Sequence, residues 1–523
     1  MATSANSHDE RVASVCRDVK RFYDRKEKFR IYHGTTNSTR RARWKRSEVV
    51  DTSGLNHVLS VDVDKKLAVV EPNVPMDALV EATLKHGLLP PVVPEFPGIT
   101  VGGAVVGSAG ESSSFRYGLV DRTVEAVQIV LANGEAVTAS ATENADLFEG
   151  IGSSFGTLGV LTQVTLRLIP AKTHVLVTYH SATSFESACQ KLLDCAIDPE
   201  IDFVDGIVFK REKSIIVTAK YVDPPAQGQK VQTFTKAWDQ WFYIHARRQF
   251  DAAGGPPKTD IVPITDYFFR YDRGGFWVGR LAFKYFCVPF DRFSRFVVDH
   301  FMHTRVMYQA LHESGLGEEH IVQDLALPRE RAAEFLEYAF GDLGISPLWI
   351  CPLKARPTAV MNPKPVPSSS KTSSTSATDK EQDKGCPEII NVGVWGQGSR
   401  NREDFISTNR KLETTVRDLG GIKWLYAQTF YTEEEFWNIY DRPAYDALRA
   451  KYHASGLPTV YDKVKLDVAA ERAAREKWTA WERFKATLKG IWPIRGAYGV
   501  IRTLISKEYL LVRGKEQKAI KED

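Results

Sequence analysis

The sequence predicts an α+β protein with two folded domains and a C-terminal helical extension. The chain of 523 residues is too long for one ordinary hydrophobic core, so two domains are expected. Short runs with strand periodicity alternate with helical patterns in the first third, and aromatic residues are concentrated in the middle. The hydrophobic share of 43% and the charged share of 26% are ordinary for a globular protein, so disorder is expected only locally.

The first third of the chain combines an amphipathic helix with several strands. Apolar residues recur at helical spacing between residues 8 and 28, which predicts a helix there. Alternating patterns predict a helix over 76–86 and strands over 58–62, 67–71, 127–131 and 160–169. The Asn133-Gly134 pair between two strand patterns predicts a hairpin with a type I′ turn, because both residues readily adopt positive φ angles.

The middle of the chain is rich in aromatic residues, within 234–250, 266–277 and 284–293. This density fits either a large apolar pocket or a thick core. Three charged residues interrupt the second run, namely Arg270, Asp272 and Arg273. Surface charge is the favoured interpretation for them, and contact with a substrate hydroxyl or a nicotinamide phosphate is the alternative.

A tract rich in Pro, Ser, Thr and Lys separates two ordered pieces of the chain. Residues 363–385 have little to bury, which predicts a disordered insertion. After this tract, the pattern predicts a buried strand over 389–398. A strand running into a helix is expected over 424–441, with Thr432 as the N-cap of the helix.

Charge and cysteine content argue against several classes of protein. A net charge of +4 without a basic block gives no support for nucleic-acid binding. The six cysteines are scattered, without C-x-x-C or metal-ligand spacing, so we expect reduced thiols and no metal site. Neither a signal peptide nor an apolar run of about 20 residues, the length of a membrane-spanning helix, is recognisable.

The C-terminal extension has an amphipathic pattern. Trp478, Trp481, Phe484 and Leu488 recur at helical spacing among lysines and arginines. A helix packed on the body of the protein and a helix lying on a membrane surface both fit this pattern, and both interpretations are kept.

Three segments rich in glycine and hydroxyl side chains are candidates for binding a cofactor. Glycine lets the backbone approach a ligand closely, and converging amide groups can then bind a pyrophosphate. The first segment supplies Gly34, Thr35, Thr36, Asn37, Ser38, Thr39 and Arg40. The second, between Gly98 and Gly118, supplies Thr100, Val101, Gly102, Gly103, Ala104, Val105, Val106, Gly107, Ser108, Ala109, Gly110, Glu111, Ser112, Ser113, Ser114, Tyr117 and Gly118. The third supplies Gly152, Gly156, Gly159 and Val160.

These segments point to one class of cofactor. By itself, the first segment would more often be a surface loop whose polar side chains bond the local backbone. The sequence contains neither the G-x-x-x-x-G-K-[ST] motif of phosphate-binding loops nor a G-x-G-x-x-G motif that opens a helix. Three loops spread over residues 34–160 suggest instead one extended dinucleotide that crosses several loops, and FAD fits this better than NAD.

Several stretches resemble a known flavoprotein family. Residues 70–135, which include FPGITVGGAVVGSAGESSSFRYG, are similar to the FAD domain of the vanillyl-alcohol oxidase and p-cresol methylhydroxylase superfamily, and within it to the delta-24 sterol reductases. The similarity continues through the aromatic runs and through residues 146–170, 320–328, 347–353, 424–441 and 458–463. It extends over residues 8–463, interrupted by the insertion.

The resemblance implies a domain organisation. Residues 1–174 would form an FAD-binding domain of PCMH type, 175–362 a mixed α/β substrate (cap) domain, 363–387 a disordered linker insertion, 388–463 the end of the substrate domain with a flavin-side segment, and 464–523 an amphipathic helical extension. FAD contacts would centre on Thr100 to Ser112, and the loop Gly34 to Arg40 would bind the pyrophosphate. Because neither His nor Cys occurs between Gly98 and Gly118, noncovalent FAD is expected.

The resemblance also implies a function and a location. The expected reaction is reduction of an isolated carbon-carbon double bond in a sterol side chain, with NADPH as a transient electron donor. The expected location is the cytoplasm or the cytosolic face of the endoplasmic reticulum membrane. A same-fold oxidase, dehydrogenase, isomerase or cyclase acting on a terpenoid or other specialised metabolite is the first alternative, and a noncatalytic sterol- or flavin-binding protein is the second. Two further partners stay open: a membrane surface at the C-terminal extension, and a second copy of the chain as a homodimer.

Reduction of an isolated double bond needs a proton donor beside the hydride donor. The candidates are Glu111, Tyr117, Asp324, Tyr426 and Lys463. Tyr426 and Glu111 rank first as catalytic residues, because the resemblance implies that their segments lie near the flavin. The competing interpretation for Tyr426 is a strand residue in the core whose hydroxyl is satisfied, which is the more frequent case for a tyrosine.

Overall fold

The computed structural model describes residues 2–34, 45–354, 361, 387–468 and 491–506, with the positions 473, 476, 477 and 479–481. Helices occur along the whole of this part of the chain. They are α1 (Ala2–Asp24), α2 (Met76–Leu84), α3 (Val101–Val106), α4 (Ser114–Tyr117), α5 (Ala145–Ile151), α6 (Phe185–Ala196), α7 (Phe242–Gln249), α8 (Ile264–Phe268), α9 (Gly279–Tyr285), α10 (Arg292–Val297), α11 (Thr304–Ser314), α12 (Ala332–Gly341), α13 (Arg402–Asp418), α14 (Glu433–Ile439), α15 (Arg442–Lys451), α16 (Val460–Val464) and α17 (Ile494–Ser506).

The strands form two main sheets and two short pairs. They are β1 (Arg30–Tyr32), β2 (Val49–Asp51), β3 (Val58–Asp62), β4 (Leu67–Val70), β5 (Leu88–Leu89), β6 (Val124–Val130), β7 (Ala136–Ser140), β8 (Val160–Arg167), β9 (Ile169–Pro170), β10 (His174–Ala182), β11 (Phe203–Lys210), β12 (Lys213–Val222), β13 (Lys258–Pro263), β14 (His320–Pro328), β15 (Leu348–Leu353), β16 (Ile389–Gln397) and β17 (Ile422–Lys423). Helices and sheets occur in both halves of the described chain, and the α+β class is confirmed.

The first sheet has five antiparallel strands in the order β3-β4-β8-β6-β7. Strands β1 and β2 form a parallel pair, and β5 pairs with β9. Helices α2, α3 and α5 bury apolar residues in the same core as this sheet. The glycine-rich segment that contains α3 is therefore attached to a rigid sheet.

The second sheet has eight antiparallel strands in the order β13-β10-β12-β11-β15-β16-β14-β17. Helices α6, α12 and α13 cover one of its faces with aliphatic residues and phenylalanines. The other face carries Trp349 and Trp395 and packs against the aromatic residues of the 234–283 region. Strand β11 of this sheet also contacts the glycine-rich segment, since the Val204 N–H donates to the Ser112 carbonyl over 2.8 Å.

Most of the local predictions are confirmed. α1, α2, β3, β4, β6, β8 and β16 lie where periodicity predicts a helix or a strand. Thr432 caps α14 through a capping box with Glu435, as predicted. The hairpin between β6 and β7 is also confirmed.

Two local predictions are wrong in detail. Only Gly134 of the Asn133-Gly134 pair has a positive φ angle, and residues 131–135 form a longer loop instead of a type I′ turn. The strand predicted from residue 424 is absent from the described chain, because β17 ends at Lys423 and residues 424–432 form a loop. Buried side chains in this loop, such as Ala427 and Phe430, produce the apolar pattern that suggested a strand.

The C-terminal part of the chain returns to the first domain and then crosses to α11. The aromatic residues of α14 to α16 cluster with Phe155 of the third glycine-rich segment. α17 packs along α11. The predicted insertion at 363–385 lies outside the described residues, as do Trp478, Phe484 and Leu488 of the extension. Among the described helices, none is both long enough and apolar enough to cross a membrane.

Helix α1 is anchored to the first sheet through a buried carboxylate at Glu71. Its Oε1 lies 2.7 Å from His8 Nδ1 and 2.8 Å from Arg11 Nη2, and both of these residues belong to α1. Its Oε2 lies 2.9 Å from His57 Nδ1. Burial alone would raise the pKa of Glu71, but these bonds lower it below its usual value. The charged carboxylate therefore holds α1 in place at neutral pH.

We expect Glu71→Gln to lower the free energy of unfolding by about 3 kcal/mol at neutral pH, the usual cost of breaking a buried ion pair. Because the folded-state pKa is lowered, the stabilisation is complete above the unfolded-state value of about 4.3 and is lost as the pH falls through the folded-state value. Urea unfolding across this range measures the difference between the two proteins, which should shrink in acid. The control Glu81→Gln changes an exposed residue that forms a surface ion pair with Lys85, and it should alter the stability little. Equal stabilities at neutral pH would contradict the role of Glu71.

Candidate functional site

Helix α3 begins in the glycine-rich segment and presents two different glycines. The Gly102 N–H donates to the Pro72 carbonyl over 2.7 Å. A Cβ atom on Gly102 would lie 2.6 Å from the Pro72 Cβ, so the close contact between α3 and this residue requires glycine. Gly103 is exposed, and among the described residues a Cβ atom there would meet only the hydroxyl of Thr100, at 3.0 Å. Gly102 is therefore required for packing, whereas Gly103 leaves the start of α3, as far as it is described, open to a ligand.

Backbone strain is concentrated where the second and third segments meet. Ser108, Ser153 and Phe155 have positive φ angles of 50°, 58° and 50°. The Ser153 hydroxyl donates to Ser108 Oγ over 3.0 Å. The Phe155 N–H donates to the Val106 carbonyl over 3.1 Å. Left-handed backbone at residues other than glycine is uncommon and clusters at ligand sites, so this contact is a candidate binding surface.

The third segment also contacts the strand that leads into the first segment. A Cβ atom on Gly156, which has a φ angle of 69°, would lie 2.8 Å from Ile31 Cδ1 in β1. Gly34 follows β1 and has a φ angle of 86°. Thr35, Thr36, Asn37, Ser38, Thr39 and Arg40 lie outside the described residues. The second and third segments therefore meet around Phe155, and the strand that leads into the first segment contacts Gly156 beside it.

The C-terminal segment holds this junction from the other side. Lys463 of α16 donates from Nζ to the Phe155 carbonyl over 2.7 Å. The Tyr445 hydroxyl of α15 donates to Thr157 Oγ1 over 2.7 Å. The junction thus includes residues that are far apart in the sequence.

Other residues of the three segments are needed by packing. Gly118 has a φ angle of 77°, and a Cβ atom there would lie 3.3 Å from Arg122 Cβ. A Cβ atom on Gly159 would lie 2.7 Å from the Val130 carbonyl, and Val160 pairs with Val130 in the first sheet. Gly152 ends α5, and Tyr117 is the half-buried last residue of α4. Glycine at positions 118 and 159 therefore has a structural reason without any ligand.

A cluster of acidic side chains lies where the glycine-rich segment faces the second sheet. It comprises Glu95, Glu111 and Asp324, and Glu95 interacts with both of the other two acids. The Tyr426 hydroxyl donates to Asp324 Oδ2 over 2.6 Å, and the Asn391 amide donates to Oδ1 over 3.1 Å. The structure therefore places Glu111 and Tyr426, the two predicted catalytic residues, in one cluster. Tyr426 lies in the loop after β17 and not in a strand.

The environment of the cluster favours the protonated forms of its acids. Burial raises the pKa of Glu95 to about 7 and the pKa of Asp324 to about 6. Burial and the charge of Glu95 raise the pKa of Glu111 well above its usual value. Glu95, Asp324 and Tyr426 nevertheless keep accessible surface, whereas Glu111 is almost fully buried. Groups that are desolvated but still accessible line a cleft, and this cluster can hold protons near neutral pH.

Glu95 is a member of this cluster that the sequence alone does not single out. It is the one acidic residue in the proline- and valine-rich run 89–98. The available signal in the sequence was an acidic residue inside an apolar run. A glutamate that is buried needs either a hydrogen-bonding or charged partner or a bound proton. The partners belong to distant parts of the chain, so only the folded structure reveals them.

A buried ion pair lies beside the cluster. Arg270 Nη2 is 2.8 Å from Asp205 Oδ2 and 3.8 Å from Glu111 Oε1. The Tyr271 hydroxyl and the Trp349 indole also donate to Asp205 Oδ2, over 2.7 and 3.0 Å. The sequence-based interpretation of Arg270 as surface charge is wrong, because only 1% of the residue is exposed.

The same correction applies to the two charged residues that follow. Asp272 binds His303 Nδ1 over 2.6 Å. Arg273 donates to Asp299 Oδ1 over 2.7 Å. Both residues are buried, so they neither form surface charge nor lie free for a substrate. Local sequence could not reveal their partners, which lie 26 to 31 positions away.

Aromatic side chains form a wall next to the acidic cluster. The ring of Phe276 lies 4.2 Å from that of Trp395 and 5.8 Å from that of Phe96, the residue after Glu95. Trp349 and Trp395 stack with ring centres 6.0 Å apart. An apolar wall beside a few polar groups is typical of a site for an apolar small molecule.

The residues of the junction fit FAD. The amide groups of Gly110 and Ser113 have no acceptor in the described part of the chain, so they are available to an acidic or carbonyl group of a ligand. Gly103 leaves the start of α3 open, and Ser108 and Ser153 add hydroxyls. Together these groups would hold the dinucleotide.

We expect the two glycines of α3 to respond differently to alanine. Gly102→Ala should cost about 1–3 kcal/mol of stability, because its Cβ atom would overlap Pro72. Gly103→Ala should change the unfolding temperature much less, because its Cβ atom meets only the Thr100 hydroxyl among the described residues, and it should lower the FAD affinity by about tenfold, because the added methyl group occupies the open side of α3. Thermal unfolding and flavin titration of the apoprotein measure the two effects. Unchanged FAD affinity in Gly103→Ala would contradict cofactor contact at α3.

Comparison with known proteins agrees with this geometry. Residues 7–140 match the FAD binding domain family. The chain is 27% identical over 483 residues to the Delta(24)-sterol reductase of Homo sapiens, with 89% of this chain and 87% of that protein covered. It is 29% identical over 454 residues to the Delta(24)-sterol reductase of Arabidopsis thaliana, with 82% and 78% covered. L-gulonolactone oxidase of Mus musculus is 34% identical over 140 residues, which cover 27% of this chain and 30% of that protein.

The long similarity to the sterol reductases spans both sheets, whereas the similarity to L-gulonolactone oxidase covers about a quarter of the chain. The resemblance inferred from the sequence is therefore confirmed. The chain carries an FAD-binding domain, and along most of its length it is similar to the Delta(24)-sterol reductases of animals and plants.

Proposed function

We propose that the protein is an FAD-dependent reductase that saturates an isolated double bond in a sterol side chain, with NADPH as the reductant. The observation that carries the proposal is the cluster of Glu95, Glu111 and Asp324, in which acids with raised pKa values lie beside both the glycine-rich segment and an aromatic wall. Similarity to the Delta(24)-sterol reductases supports the substrate class.

The proposed chemistry divides the work between cofactor and protein. FAD, when bound and reduced, supplies a hydride to one carbon of the double bond. The protein supplies a proton to the other carbon. Because an isolated alkene is weakly basic, a carboxylic acid is a better proton donor to it than a phenol. Burial and the charge of Asp324 raise the pKa of Tyr426 well above its usual value, which makes Tyr426 a weak acid. We therefore assign the transferable proton to Glu95, which keeps accessible surface and has a pKa of about 7.

The other members of the cluster have supporting roles in this proposal. Tyr426 donates its hydrogen bond to Asp324 and so holds the ionised form of that carboxylate. Positive charge that builds on the more substituted carbon would be stabilised by this carboxylate. Glu111 remains protonated beside Arg270 and fixes the position of Glu95. The ranking of Tyr426 and Glu111 as first-choice proton donors is thereby revised.

The aromatic wall would bind the substrate. Phe276, Trp349 and Trp395 are buried and pack on one another, so they would form the apolar backing of a sterol site, and the cluster would supply the polar groups that set the orientation of the sterol. NADPH would react at the same flavin and leave before the sterol binds. We further propose that FAD is noncovalent, and that the protein works in the cytoplasm or at the cytosolic face of the endoplasmic reticulum membrane.

A same-fold oxidase, dehydrogenase, isomerase or cyclase is the main alternative, and the similarity of one segment to L-gulonolactone oxidase supports only a shared cofactor domain. Anaerobic flavin absorbance separates the possibilities. We expect NADPH to bleach the bound flavin and a Δ24 sterol to restore its absorbance, whereas a saturated sterol, as the control, restores nothing. Absence of bleaching by NADPH, or of reoxidation by the Δ24 sterol, would overturn the reductase proposal. Bound FAD without either response would indicate a binding protein.

Two substitutions test the assignment of the proton donor. We expect Glu95→Gln to lower turnover by about 10²–10⁴-fold, the usual contribution of a positioned general acid, and Tyr426→Phe to lower it by only about tenfold. Turnover of the parent protein should fall as the pH rises through about 7, because the donor then loses its proton, and this dependence should vanish in Glu95→Gln. Steady-state rates across pH, with bound FAD measured in each variant, decide the assignment. The exposed Glu143→Gln is the control.

A larger loss in Tyr426→Phe than in Glu95→Gln would return the donor role to Tyr426. An unchanged pH profile in Glu95→Gln would show that another group carries the proton.

A further inference from the structure

A small polar cleft runs along α11 beside the acidic cluster. Helix α11, strand β14, helix α13 and the loop after β17 all contribute to its walls. Its volume is about 50 Å³. Each water molecule needs about 10–15 Å³ of such space, so the cleft has room for about three or four, and it is far too small for a sterol or a nicotinamide. The polar side chains that line it are Tyr308, His312, His320, Gln323, Asn409 and Gln428.

Tyr308 joins the cleft to the acidic cluster. It lines the cleft, and its ring lies 6.2 Å from that of Phe96, the residue after Glu95. The charges of Glu95 and Asp324 both act on its hydroxyl. Within the described chain this hydroxyl forms no hydrogen bond, which keeps it available to water. Burial raises the pKa of Tyr308 above its usual value, so the hydroxyl keeps a proton that it can donate.

The amide of Gln323 indicates that the cleft holds water. Only 3% of this residue is exposed. Its Nε2 donates to Asn409 Oδ1 over 3.3 Å and to the Gln428 carbonyl over 3.4 Å. Its Oε1 is also enclosed, yet no donor from the described residues reaches it. A buried acceptor of this kind needs a donor from water or from a ligand, and only water fits the volume of the cleft.

Two histidines line the cleft beyond Tyr308. His312 follows Tyr308 by one turn of α11, about 6 Å along the helix, and His320 begins β14. His320 Nδ1 donates to the Leu316 carbonyl over 2.8 Å, so Nε2 is the acceptor nitrogen of the neutral ring. Burial lowers the pKa of His320, which keeps the ring neutral near neutral pH. Both histidines keep accessible surface, so this end of the cleft reaches solvent.

We propose that the cleft along α11 is the route by which protons from solvent reach Glu95, with Tyr308 as the last donor. The need for such a route rests on the proposed function. Addition of a hydride from NADPH and a proton to a double bond consumes one proton from water, so Glu95 must regain one proton in every turnover. Tyr308 passes its hydroxyl proton to the Glu95 carboxylate as it takes one from the adjacent water, so Tyr308 is neutral before and after the transfer. The other titratable groups along the route are Asp324 and Tyr426 at its inner end, and His312, His320 and the ion pair of Glu319 with Arg495 at its outer end.

A comparison of the first turnover with later turnovers tests this route. Tyr308→Phe removes the hydroxyl and keeps the ring. In the FAD-loaded protein reduced by NADPH, at a pH below the pKa of Glu95, this acid already holds its proton, so the first Δ24 sterol should reoxidise the flavin at the parent rate. Steady-state turnover should fall by about tenfold, because each later turnover waits for a proton. The control Tyr23→Phe removes a hydroxyl from a tyrosine of α1 that is 45% exposed, and it should behave like the parent.

Ammonium ions should restore the steady-state turnover of Tyr308→Phe, because ammonium is about as small as water and carries a proton. Tetramethylammonium, which has no proton to give, should restore nothing. Bound flavin and the unfolding temperature show that the variant is folded. An unchanged steady-state rate in Tyr308→Phe would overturn the proposal, and so would a failure of ammonium to restore it. A first turnover that slows as much as the later ones would show that Tyr308 acts in the reaction itself or in the structure, and not as a proton donor to Glu95.

Time-resolved infrared spectroscopy separates this proposal from the proposed function, because it needs no sterol. After flash release of protons, the carbonyl stretch of protonated Glu95, identified by its absence in Glu95→Gln, should grow about tenfold more slowly in Tyr308→Phe than in the parent. Equal rates would overturn the proton route even in a protein that reduces sterols. A slower rise in Tyr308→Phe, in a protein whose parent form does not reduce a Δ24 sterol, would support the route and overturn the proposed function.

Discussion

The buried pair of Arg270 and Asp205 determines how the aromatic middle of the chain sits on the second sheet. Removing two charges from water costs several kcal/mol per ion, so such a pair persists only when its remaining bonding capacity is used. Here Tyr271 and Trp349 donate to Asp205, and the Tyr267 ring lies 4.0 Å from the Arg270 guanidinium. These contacts fix the segment 266–277 against β11 and β15.

The same pair sets the electrostatics of the candidate site. Asp205 lies 2.8 Å from Arg270, whereas Glu111 lies 3.8 Å away and competes poorly for the positive charge. Glu111 and Glu95 therefore remain largely uncompensated in a desolvated region, and both retain protons more strongly than an exposed glutamate. In the proposed function, a flavin bound beside these groups would place a hydride donor next to a proton source. This coupling between a structural ion pair and acid chemistry underlies the proposed function.

Helix α11 relates this chemistry to the surface of the molecule. It carries Tyr308 toward the cluster, and the carbonyl of its last residue, Ser314, accepts a hydrogen bond from Arg495 of α17, so one rigid element links the cluster with α17. The glycines of α17 permit its close approach to α9 and α11.

The sequence by itself determined the local features. The strands of the first sheet, α1, the cap at Thr432 and the glycine-rich segments follow from periodicity and residue type, because their physical causes act over a few neighbouring residues. Sequence similarity also identified the FAD-binding domain and the enzyme family that the chain resembles.

Only the tertiary structure decided which charged residues are buried and which partners they have. Arg270 was interpreted as a surface charge, Glu95 was overlooked, and Tyr426 was assigned to a strand, because each depends on residues that are tens to hundreds of positions away. Burial and electrostatic coupling depend on distance in space, and amino-acid order alone does not specify that distance.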